Sequence, residues 1–392
     1  MTPADNRPLI AHVVFRFDVG GLENGVVNLL NRLPAGRYRH AVIAMTEVSG
    51  FRDRVKREDV SFHALQKPPG QGLRIAPRMV RLLRELRPDV VHTRNLGALE
   101  MMLPAAWAGV PVRIHGEHGW DSNDPDGRRL ACQWTRRAYR PFVHRYVALS
   151  RHLQTYLVDR VGVAPTRIAQ IYNGVDTQRF RPAGESREGL AGSPFAAADQ
   201  WVVGTVGRLQ PIKNQVLLAR AFVRALVLAP SARDRLRLVV AGDGPQREAV
   251  QEVLRQADAD SLAWLAGRRE DVPEVLRALD AFVLPSRAEG VSNTILEAMA
   301  SGLPIAATAV GGNAELLQEG VTGRLVPSDD VEAMAEAILH DFSDRDGARA
   351  RGRRAREAAE RRFSLDAMVS AYDELYEQQL GRLAARRALQ RA

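Results

Sequence analysis

Short runs of apolar, β-branched residues alternate with longer amphipathic stretches along nearly all of this 392-residue chain, and no other feature constrains its fold so strongly. The runs, which predict strands, cover residues 9–15, 40–45, 60–65, 89–93, 110–115, 142–149, 168–172, 201–206, 236–241, 262–266, 281–285, 303–308 and 322–326. Helical patterns stand between them, for example at 25–33, 75–86, 215–228, 247–256 and 293–300. Strand–helix alternation of this kind predicts parallel sheets covered by helices on both faces.

The alternation is interrupted between residues 177 and 200, where prolines and glycines fall in a stretch with little periodicity. This composition is typical of an interdomain linker. We therefore expect an α/β protein with two doubly wound, Rossmann-like parallel-sheet domains, at 1–180 and 181–364, that face each other across a cleft. A helix with a basic tail follows at 365–392. Ligands of such sheets bind beyond the carboxyl ends of the strands, so the loops there are the first places to look for chemistry.

The composition, with 45% apolar and 26% charged residues, excludes a disordered chain. Cys132 is the only cysteine, so no internal disulfide can form and a reducing compartment is expected. The N-terminus lacks the apolar core of a signal peptide, and no window reaches the ~18 apolar residues of a membrane-spanning helix. We expect a cytoplasmic protein, or one that is peripheral at the inner face of the plasma membrane.

The net charge of +9 favours anionic partners in general, but only three of the 55 basic residues are lysines. So strong an arginine bias points to genome composition rather than to a binding device. In the tail, arginines alternate with apolar residues, as in a basic amphipathic helix on an anionic membrane; a solvated helix end is the competing interpretation. These tail arginines are Arg382, Arg386, Arg387 and Arg391.

The loop 207–214 (GRLQPIKN) follows a predicted strand and precedes a predicted helix. It places two cations, Arg208 and Lys213, five residues apart at the carboxyl end of that strand. A diphosphate leaving group carries two to three negative charges, which positioned Arg and Lys side chains stabilise as the bond breaks. Two ordinary surface charges are an equally good interpretation of this segment alone.

The segment 286–300 (SRAEGVSNTILEAMA) joins another strand to a helix. Ser292 or Asn293 is a natural helix cap, and the open N–H groups of the first turn form an anion site. Glu289 stands just ahead, where it could accept hydrogen bonds from sugar hydroxyls, and Glu297 lies one turn into the helix, placed for a ribose diol. Separately, they could be a solvated loop charge and a glutamate favoured by the helix dipole.

Three loops of the first half add weaker signals. Gly20-Gly21 opens a helix, where backbone can approach a phosphate or sugar closely, although a plain turn is the commoner explanation. The loop 115–121 (HGEHGWD) puts His118 at the end of a strand, which suits hydrogen bonding to a substrate better than zinc binding. Asn173 stands in a turn beside the linker, a position that suits either a plain turn or an interdomain role.

Asp-x-Asp strings occur at 124–126, 258–260 and 344–346, but none follows a strand as a metal-dependent sugar transferase requires. We therefore predict no catalytic metal and no cofactor.

Taken together, these segments resemble family 4 of the retaining glycosyltransferases, which have the GT-B fold. The resemblance spans nearly the whole chain, and its most specific part is the pair of glutamates with seven residues between them plus the basic pair. The matching pieces are Gly20-Gly21-Leu22-Glu23, the His118 loop, Asn173-Gly174-Val175-Asp176, Gly207-Arg208 with Lys213, and Glu289-Gly290 through Glu297-Ala298-Met299.

This resemblance implies a nucleotide-diphospho-sugar donor held mainly by the C-terminal domain and an acceptor, lipid-linked or a growing polysaccharide, held by the N-terminal one. It implies that Arg208 and Lys213 contact the diphosphate, that Glu297 contacts the ribose, and that Glu289 and His118 contact the donor sugar. The final helix would cross back onto the N-terminal domain. Further donor contacts would come from the backbone of Gly290, Val291, Ser292 and Asn293, and from 267–272, with Arg268, along the base.

The motifs 91–96 (VHTRNL) and 117–119 (EHG) also look like a bacterial subgroup that assembles exopolysaccharide alongside exosortase (PEP-CTERM) systems. Many relatives have a second histidine where this chain has Arg94, which leaves the acceptor side less defined. The His118 loop offers no nucleophile for a double displacement. The family is thought to react on one face of the sugar, with the departing phosphate oxygen taking the acceptor's proton.

Three other functions compete with a transferase. A phosphorylase of the same architecture needs a pyridoxal lysine, for which the three lysines give no convincing candidate. A nucleotide-sugar epimerase would change the sugar of its donor without an acceptor. A non-catalytic basic protein on membrane or nucleic acid would bind polyanions with strong salt dependence, although no nucleic-acid module is evident and we expect no nucleic-acid partner.

Overall fold

The computed structural model describes residues 5–70, 72–120, 124, 127–184 and 187–389. Asp121, Asp126 and Arg391, which the sequence places in candidate motifs, lie outside this range. The contacts divide the chain into two compact units: Met1–Gly174 together with Asp366–Ala392, and Val175–Leu365. No helix in the described part of the chain is both long and apolar enough to cross a membrane.

The first unit is built on a parallel sheet of seven strands in the order β3-β2-β1-β4-β5-β6-β7. The strands are β1 (Leu9–Val14), β2 (Arg39–Ala44), β3 (Val60–Ala64), β4 (Val90–Arg94), β5 (Val112–Glu117), β6 (Arg145–Ala148) and β7 (Ile168–Gln170). The α-helices among them are α1 (Gly21–Arg32), α2 (Ala76–Leu86), α3 (Asn95–Leu99), α4 (Met102–Trp107), α5 (Leu130–Tyr139) and α6 (Arg151–Tyr156). Every residue of β1 and β4 is buried, including the polar side chains of His12, His92 and Arg94, as expected for strands of a parallel sheet covered on both faces.

The second unit is built on a parallel sheet of six strands in the order β10-β9-β8-β11-β12-β13. The strands are β8 (Trp201–Val206), β9 (Leu236–Ala241), β10 (Ala263–Gly267), β11 (Ala281–Leu284), β12 (Ile305–Thr308) and β13 (Arg324–Val326). The α-helices are α7 (Gln215–Leu228), α8 (Arg247–Gln256), α9 (Val272–Arg277), α10 (Asn293–Ala300), α11 (Asn313–Leu316), α12 (Val331–Ser343) and α13 (Arg345–Arg362). The prediction of two doubly wound parallel-sheet domains is confirmed.

The last helix, α14 (Leu365–Leu389), packs against the first unit. Its Tyr376 hydroxyl lies 2.8 Å from His92 Nδ1 on β4, and its Asp373 accepts a 2.7 Å hydrogen bond from the Tyr38 hydroxyl. Arg37 adds a 2.6 Å ion pair with the same carboxylate. The side chains at 368, 369, 372, 375 and 376 are buried, so the helical spacing seen in the sequence marks the packed face.

The units divide at Gly174/Val175 and Leu365/Asp366, whereas the sequence predicts boundaries at 180/181 and 364/365. The first difference has a local cause, because Val175 forms a bridge with Ser364 and therefore belongs with the second unit. The backbone N–H of Phe180 also donates to Asp176 within that unit. The turn that contains Asn173 thus ends the first unit.

Candidate active site

The loops after β8 and β11 meet because these two strands are neighbours in the second sheet. Lys213 Nζ lies 2.6 Å from Glu289 Oε1, and the Ser286 hydroxyl donates to the same oxygen at 2.7 Å. The Lys213 side chain is 28% exposed and that of Glu289 only 8%, so the carboxylate lies beneath the ammonium. The structure therefore joins a predicted diphosphate contact and a predicted sugar contact in one ion pair. Ser286 is not among the residues predicted from the sequence, although its place directly after the strand is a usable signal.

Backbone contacts hold this pair in place. Arg287 N–H donates to the carbonyl of Ile212 at 2.8 Å, which ties the two loops together. Gly311, at φ +51°, lies so close beneath Glu289 that a Cβ would come within 1.8 Å of the Glu289 carbonyl oxygen. Gly312 N–H donates to the Gly290 carbonyl at 2.9 Å. A larger residue at 311 would push the Glu289 backbone away from its place.

Arg208 stands at the carboxyl end of β8 with an exposed side chain. Its loop is held from below by Gly242, at φ +145°, where a Cβ would come within 1.9 Å of the Gly207 carbonyl oxygen. Leu209 N–H donates to the Asp243 carbonyl at 2.9 Å, and the Gln215 side chain donates to the Arg208 carbonyl at 3.1 Å. The backbone of the loop is thus fixed while the guanidinium faces solvent.

Helix α10 begins beside the pair. The Ser292 hydroxyl caps it by accepting from Ile295 N–H at 3.3 Å, as the sequence predicts for Ser292 or Asn293. Asn293 is the first helical residue, and Val291 is buried against the Gly311–Gly312 turn. The segment from Gly290 to Asn293 therefore leads directly from Glu289 into a helix N-terminus, where backbone N–H groups favour an anion.

Glu297 lies on α10, one turn in, and is partly buried. Burial raises the pKa of Glu297 to about 7, and the Arg179 charge opposes this rise. Near neutral pH the carboxyl group is therefore poised between its neutral and ionised forms.

Arg268 has an exposed side chain just beyond the carboxyl end of β10. Because β10 is the edge strand, β9 separates it from β8. With a spacing of about 4.8 Å between strands, Arg268 stands roughly 10 Å from the Arg208 loop. It belongs to the same edge of the sheet but not to the Lys213–Glu289 cluster.

In the first unit, Gly20 precedes α1 and Gly21 is its first residue. The Glu23 side chain folds back over this turn, so that a Cβ on Gly20 would lie 2.1 Å from Glu23 Oε2. Burial raises the pKa of Glu23, while its own backbone N–H opposes that rise. The space above the glycines is thus occupied by a carboxylate, which favours a partner that donates hydroxyl hydrogen bonds over a phosphate.

His118 follows β5, next to β4 in the same sheet. Its backbone N–H donates to Asn95 Oδ1 at 2.7 Å, and Asn95 adopts a left-handed conformation with φ +57°. Burial first, and then the charge of Arg94, lower the pKa of His118 to about 3, so the ring is neutral at physiological pH. Its Nε2 is buried and has no hydrogen-bond partner among the described residues.

Arg94 is itself buried, and its guanidinium lies 3.2 Å from His12 Nδ1. It stands beside His92 on the sheet face that α14 covers, where the Tyr376 hydroxyl meets His92. Burial first, and then the Arg94 charge, keep the pKa values of His12 and His92 well below the ordinary range. Arg94 therefore belongs to a buried cluster of neutral histidines.

A buried chain of side chains supports the His118 loop. Thr93 Oγ1 lies 2.7 Å from His115 Nδ1, and His115 Nε2 lies 3.3 Å from Glu117 Oε1. Arg136 on α5 donates to both Glu117 oxygens, at 2.6 and 3.1 Å. Burial alone would raise the pKa of Glu117, but Arg136 and His115 outweigh it and hold the pKa at about 2. The sequence gives no hint of Arg136, because the pair spans 19 residues and two elements.

We expect Arg136→Met to lower the free energy of unfolding by about 3–5 kcal/mol, because it leaves the Glu117 carboxylate buried without its cation. Denaturant unfolding of the full chain measures this. Arg137→Met is the matched control, since that neighbouring guanidinium contacts the Trp134 ring and a backbone carbonyl but has no role at Glu117. A loss no larger than that of the control would contradict the assignment.

Within the described ranges, no group of three or more His, Cys, Asp or Glu side chains is arranged to hold a metal ion. Arg208, Lys213, Glu289, Glu297, Gly290–Asn293 and Arg268 all belong to the second unit. Gly20, Gly21, His118 and Asn173 belong to the first unit.

Comparison with known proteins fits this geometry. The family model of glycosyl transferases group 1 matches residues 200–344, and that of Glycosyltransferase Family 4 matches residues 19–179. The chain is 30% identical over 403 residues to a GDP-mannose-dependent alpha-mannosyltransferase of Mycolicibacterium smegmatis, covering 97% of this chain and 100% of that one. This chain belongs to glycosyltransferase family 4.

A second relative of this family 4 glycosyltransferase is the Escherichia coli UDP-Gal:alpha-D-GlcNAc-diphosphoundecaprenol alpha-1,3-galactosyltransferase. The two are 30% identical over 280 residues, which cover 68% of this chain and 70% of the relative. The chain spans about half the length of several other curated relatives that it matches. Its fold is that of Anabaena HepE, solved in complex with UDP, with a TM-score of 0.77 at 21% identity over 94% of this chain and 99% of HepE. The GT-B fold and the transferase class are thereby confirmed.

Proposed function

We propose that this family 4 glycosyltransferase moves a sugar from a nucleotide-diphospho-sugar to a lipid-linked or growing polysaccharide acceptor, with retention at the anomeric carbon and without a metal. The observation that carries the proposal is the Lys213–Glu289 pair, at the adjoining carboxyl ends of β8 and β11 and beside the start of α10. It places a cation, a hydroxyl acceptor and a helix N-terminus in one cluster. A diphospho-sugar offers the complementary groups, which are the diphosphate charges and the sugar hydroxyls.

Donor binding would exchange the partners of this pair. The diphosphate carries more charge than one carboxylate, so Lys213 turns to it while Glu289 accepts hydroxyl hydrogen bonds from the sugar. Arg208, already exposed, adds a second cation. Both become more effective as charge develops on the departing phosphate oxygen, which is the condition for lowering a barrier. Because two side-chain cations supply this stabilisation, the proposed reaction needs no metal ion.

The acceptor oxygen would attack from the face that the diphosphate leaves, and the departing phosphate oxygen would take its proton. The ring of His118 is neutral, and its buried Nε2 has no hydrogen-bond partner among the described residues. It would accept a hydrogen bond from a donor-sugar hydroxyl. A neutral histidine suits this role because an imidazolium could only donate.

The relatives narrow the substrates that we propose. The E. coli relative is named for UDP-Gal and a diphosphoundecaprenol-linked acceptor, the M. smegmatis relative for GDP-mannose, and HepE was solved with UDP. A uridine or guanosine diphospho-sugar and a lipid-linked acceptor follow as the first choices for this chain. The motifs 91–96 and 117–119 support a role in exopolysaccharide or glycoconjugate biosynthesis of the exosortase-associated type. A lipid-linked acceptor implies peripheral contact with the inner face of the membrane.

A thermal-shift panel of UDP-, GDP- and ADP-sugars tests the donor site. At a concentration 100 times its Kd, the true donor should stabilise the protein by about 2.7 kcal/mol and raise Tm by about 3–7 °C. The double variant Arg208→Ala/Lys213→Ala should lose this response. Arg220→Gln, an exposed arginine on α7 away from the cluster, should keep it. No response to any nucleotide sugar would contradict the proposal.

Donor affinity should also depend on pH through Glu297. Ribose hydroxyls donate to a carboxylate more strongly than to a neutral carboxyl group, so binding favours the ionised form. Because the pKa of Glu297 is about 7 in the free protein, we expect affinity to fall about tenfold for each pH unit below 7 and to level off above it. Calorimetry of nucleotide binding between pH 6 and 8 measures this. In Glu297→Gln the profile should be flat, and a wild-type slope that survives this change would exclude Glu297 as its source.

A further inference from the structure

A groove runs along the outer side of α2 in the first unit, and none of its lining residues is assigned to the donor site. It has a volume of about 620 Å³. Apolar and arginine side chains line it together, including Leu73, Pro77, Val80, Trp107, Arg81 and Arg84. The other apolar face of α2, with Met79 and Leu83, is buried in the core. Helix α2 therefore has a second side, partly apolar and partly basic, that the described chain leaves uncovered.

Two large apolar side chains of this groove are exposed to solvent. Trp107, the last residue of α4, is 59% exposed and Leu73 is 38% exposed. Arg84 crosses between the two helices, with its guanidinium 3.4 Å from the Trp107 carbonyl oxygen. The Trp107 indole thus lies at the edge of the apolar part of the groove, beside the Arg84 guanidinium.

The charge around the groove is positive. Five exposed arginines and one glutamate occur between residues 73 and 87, and they are Arg74, Arg78, Arg81, Arg84, Arg87 and Glu85. A neighbouring depression of about 440 Å³ shares Arg84 and adds Arg87, Asp89 and, from α14, Arg387, whose guanidinium lies 3.8 Å from the Asp89 carboxylate. The basic end of α14 therefore continues the surface that the groove begins, because both border the same arginine.

We propose that this surface, which we call the α2 groove, docks on an anionic lipid bilayer, with an acyl or isoprenoid chain lying on Leu73, Pro77 and Val80 and with Arg81 and Arg84 on headgroup phosphates. Arginine stems cover apolar area while their guanidinium groups reach a phosphate plane, and tryptophan prefers the boundary between the two. The apolar part of the groove distinguishes this surface from one that fits nucleic acid, which needs only the charge. The inference rests on the proposed lipid-linked acceptor and gives the membrane contact a location.

Vesicle sedimentation and brominated-lipid quenching test this inference with the full-length protein and no nucleotide. We expect wild type to sediment with phosphatidylcholine vesicles that contain 30% phosphatidylglycerol, and not with pure phosphatidylcholine. Arg81→Gln/Arg84→Gln should weaken this binding about 10- to 30-fold, while Arg81→Lys/Arg84→Lys should keep most of it. Brominated phosphatidylglycerol should quench wild-type tryptophan fluorescence, and Trp107→Phe should remove most of that quenching.

Trp134→Phe is the matched control, because Trp134 belongs to the same unit, is 63% exposed and does not line the groove. Two outcomes would overturn the proposal: Trp134→Phe removing the quenching while Trp107→Phe keeps it, or Arg382→Gln/Arg387→Gln abolishing sedimentation while the groove variants bind normally. The proposal would also be overturned if wild type bound neutral and anionic vesicles equally well, or if it bound neither. The nucleotide-sugar thermal shift of each variant reports the donor site separately, so loss of membrane binding with an intact shift leaves the proposed function standing.

Discussion

Lys213→Ala is expected to slow sugar transfer about 100- to 1000-fold, which corresponds to roughly 2.7–4 kcal/mol of barrier. Lys213 is the cation of the donor cluster that the protein holds in a fixed place, through its 2.6 Å contact with Glu289. A preorganised charge stabilises the departing diphosphate without a reorganisation cost, and alanine removes it entirely. Release of nucleoside diphosphate during turnover, with donor at saturation, measures the effect on kcat.

Lys56→Ala is the control for removing a lysine, since Lys56 is exposed in the first unit and belongs to no proposed site. Lys213→Arg should recover part of the rate, because the charge is restored but not the compact ammonium that fits above Glu289. A Lys213→Ala enzyme that turns over within threefold of wild type would exclude the proposed role. The melting temperature of each variant should be measured as well. Lys213→Ala also removes the cation from the Glu289 carboxylate, which is 8% exposed and keeps the hydrogen bond from Ser286.

The sequence predicts the fold well because apolar strands alternate with helices at a spacing that leaves few topologies. The bounds of β8 and β9 agree with the apolar runs at 201–206 and 236–241. Helices α7, α8 and α10 also begin and end where their patterns do. In each case the apolar run or the helical pattern ends abruptly at a polar or glycine-containing loop.

Helix α13 was not among the predicted patterns, and its composition explains this. The segment 345–362 is mostly arginine, alanine and glutamate, with two glycines and no large apolar residue. Its buried face consists of small residues and Arg351, which pairs with the buried Asp341. Gly352 lies so close to the Gly302 carbonyl oxygen that a Cβ would come within 2.1 Å of it. A search for apolar periodicity cannot detect a helix that packs through such close backbone approach.

The residue types of the donor site are visible in the sequence, but their pairing is not. Lys213 and Glu289 are 76 residues apart and meet only because β11 adds next to β8 rather than after β10. The sequence assigned them to different parts of the donor, whereas in the free protein they neutralise each other. Glu23 gives a similar lesson, since nothing in a Gly-Gly turn indicates that a carboxylate three residues later will lie over it. Strand order and side-chain direction decide both contacts.

Gly116→Ala is expected to slow sugar transfer about 100-fold, although Gly116 itself touches no proposed substrate. It lies on β5, where its backbone pairs with Arg94 and Val147, and its φ is not in the left-handed region, so the strand accepts alanine. The new Cβ would stand 2.4 Å from His118 Nε2 and 3.2 Å from His92 Nε2. Tyr376 holds the His92 ring from its other nitrogen, so the His118 ring is the one that moves. A displacement of about 1 Å at a positioned group is enough for a loss of this size.

Comparing Gly116→Ala in two backgrounds separates this effect from damage to the strand. If the methyl group acts by displacing His118, it should slow wild type about 100-fold but leave an already slow His118→Ala enzyme nearly unchanged, because the displaced ring is then absent. Gly25→Ala controls for the substitution itself, since nothing lies within 4 Å of the Cβ that it adds on α1. Overpacking costs stability of about 1–3 kcal/mol, so rates are compared well below the melting temperature of each variant. An equal loss in both backgrounds would show that Gly116 supports the strand and not the His118 ring. The histidine would then need another positioning residue, and Asn95 is the candidate through its 2.7 Å bond to the His118 backbone.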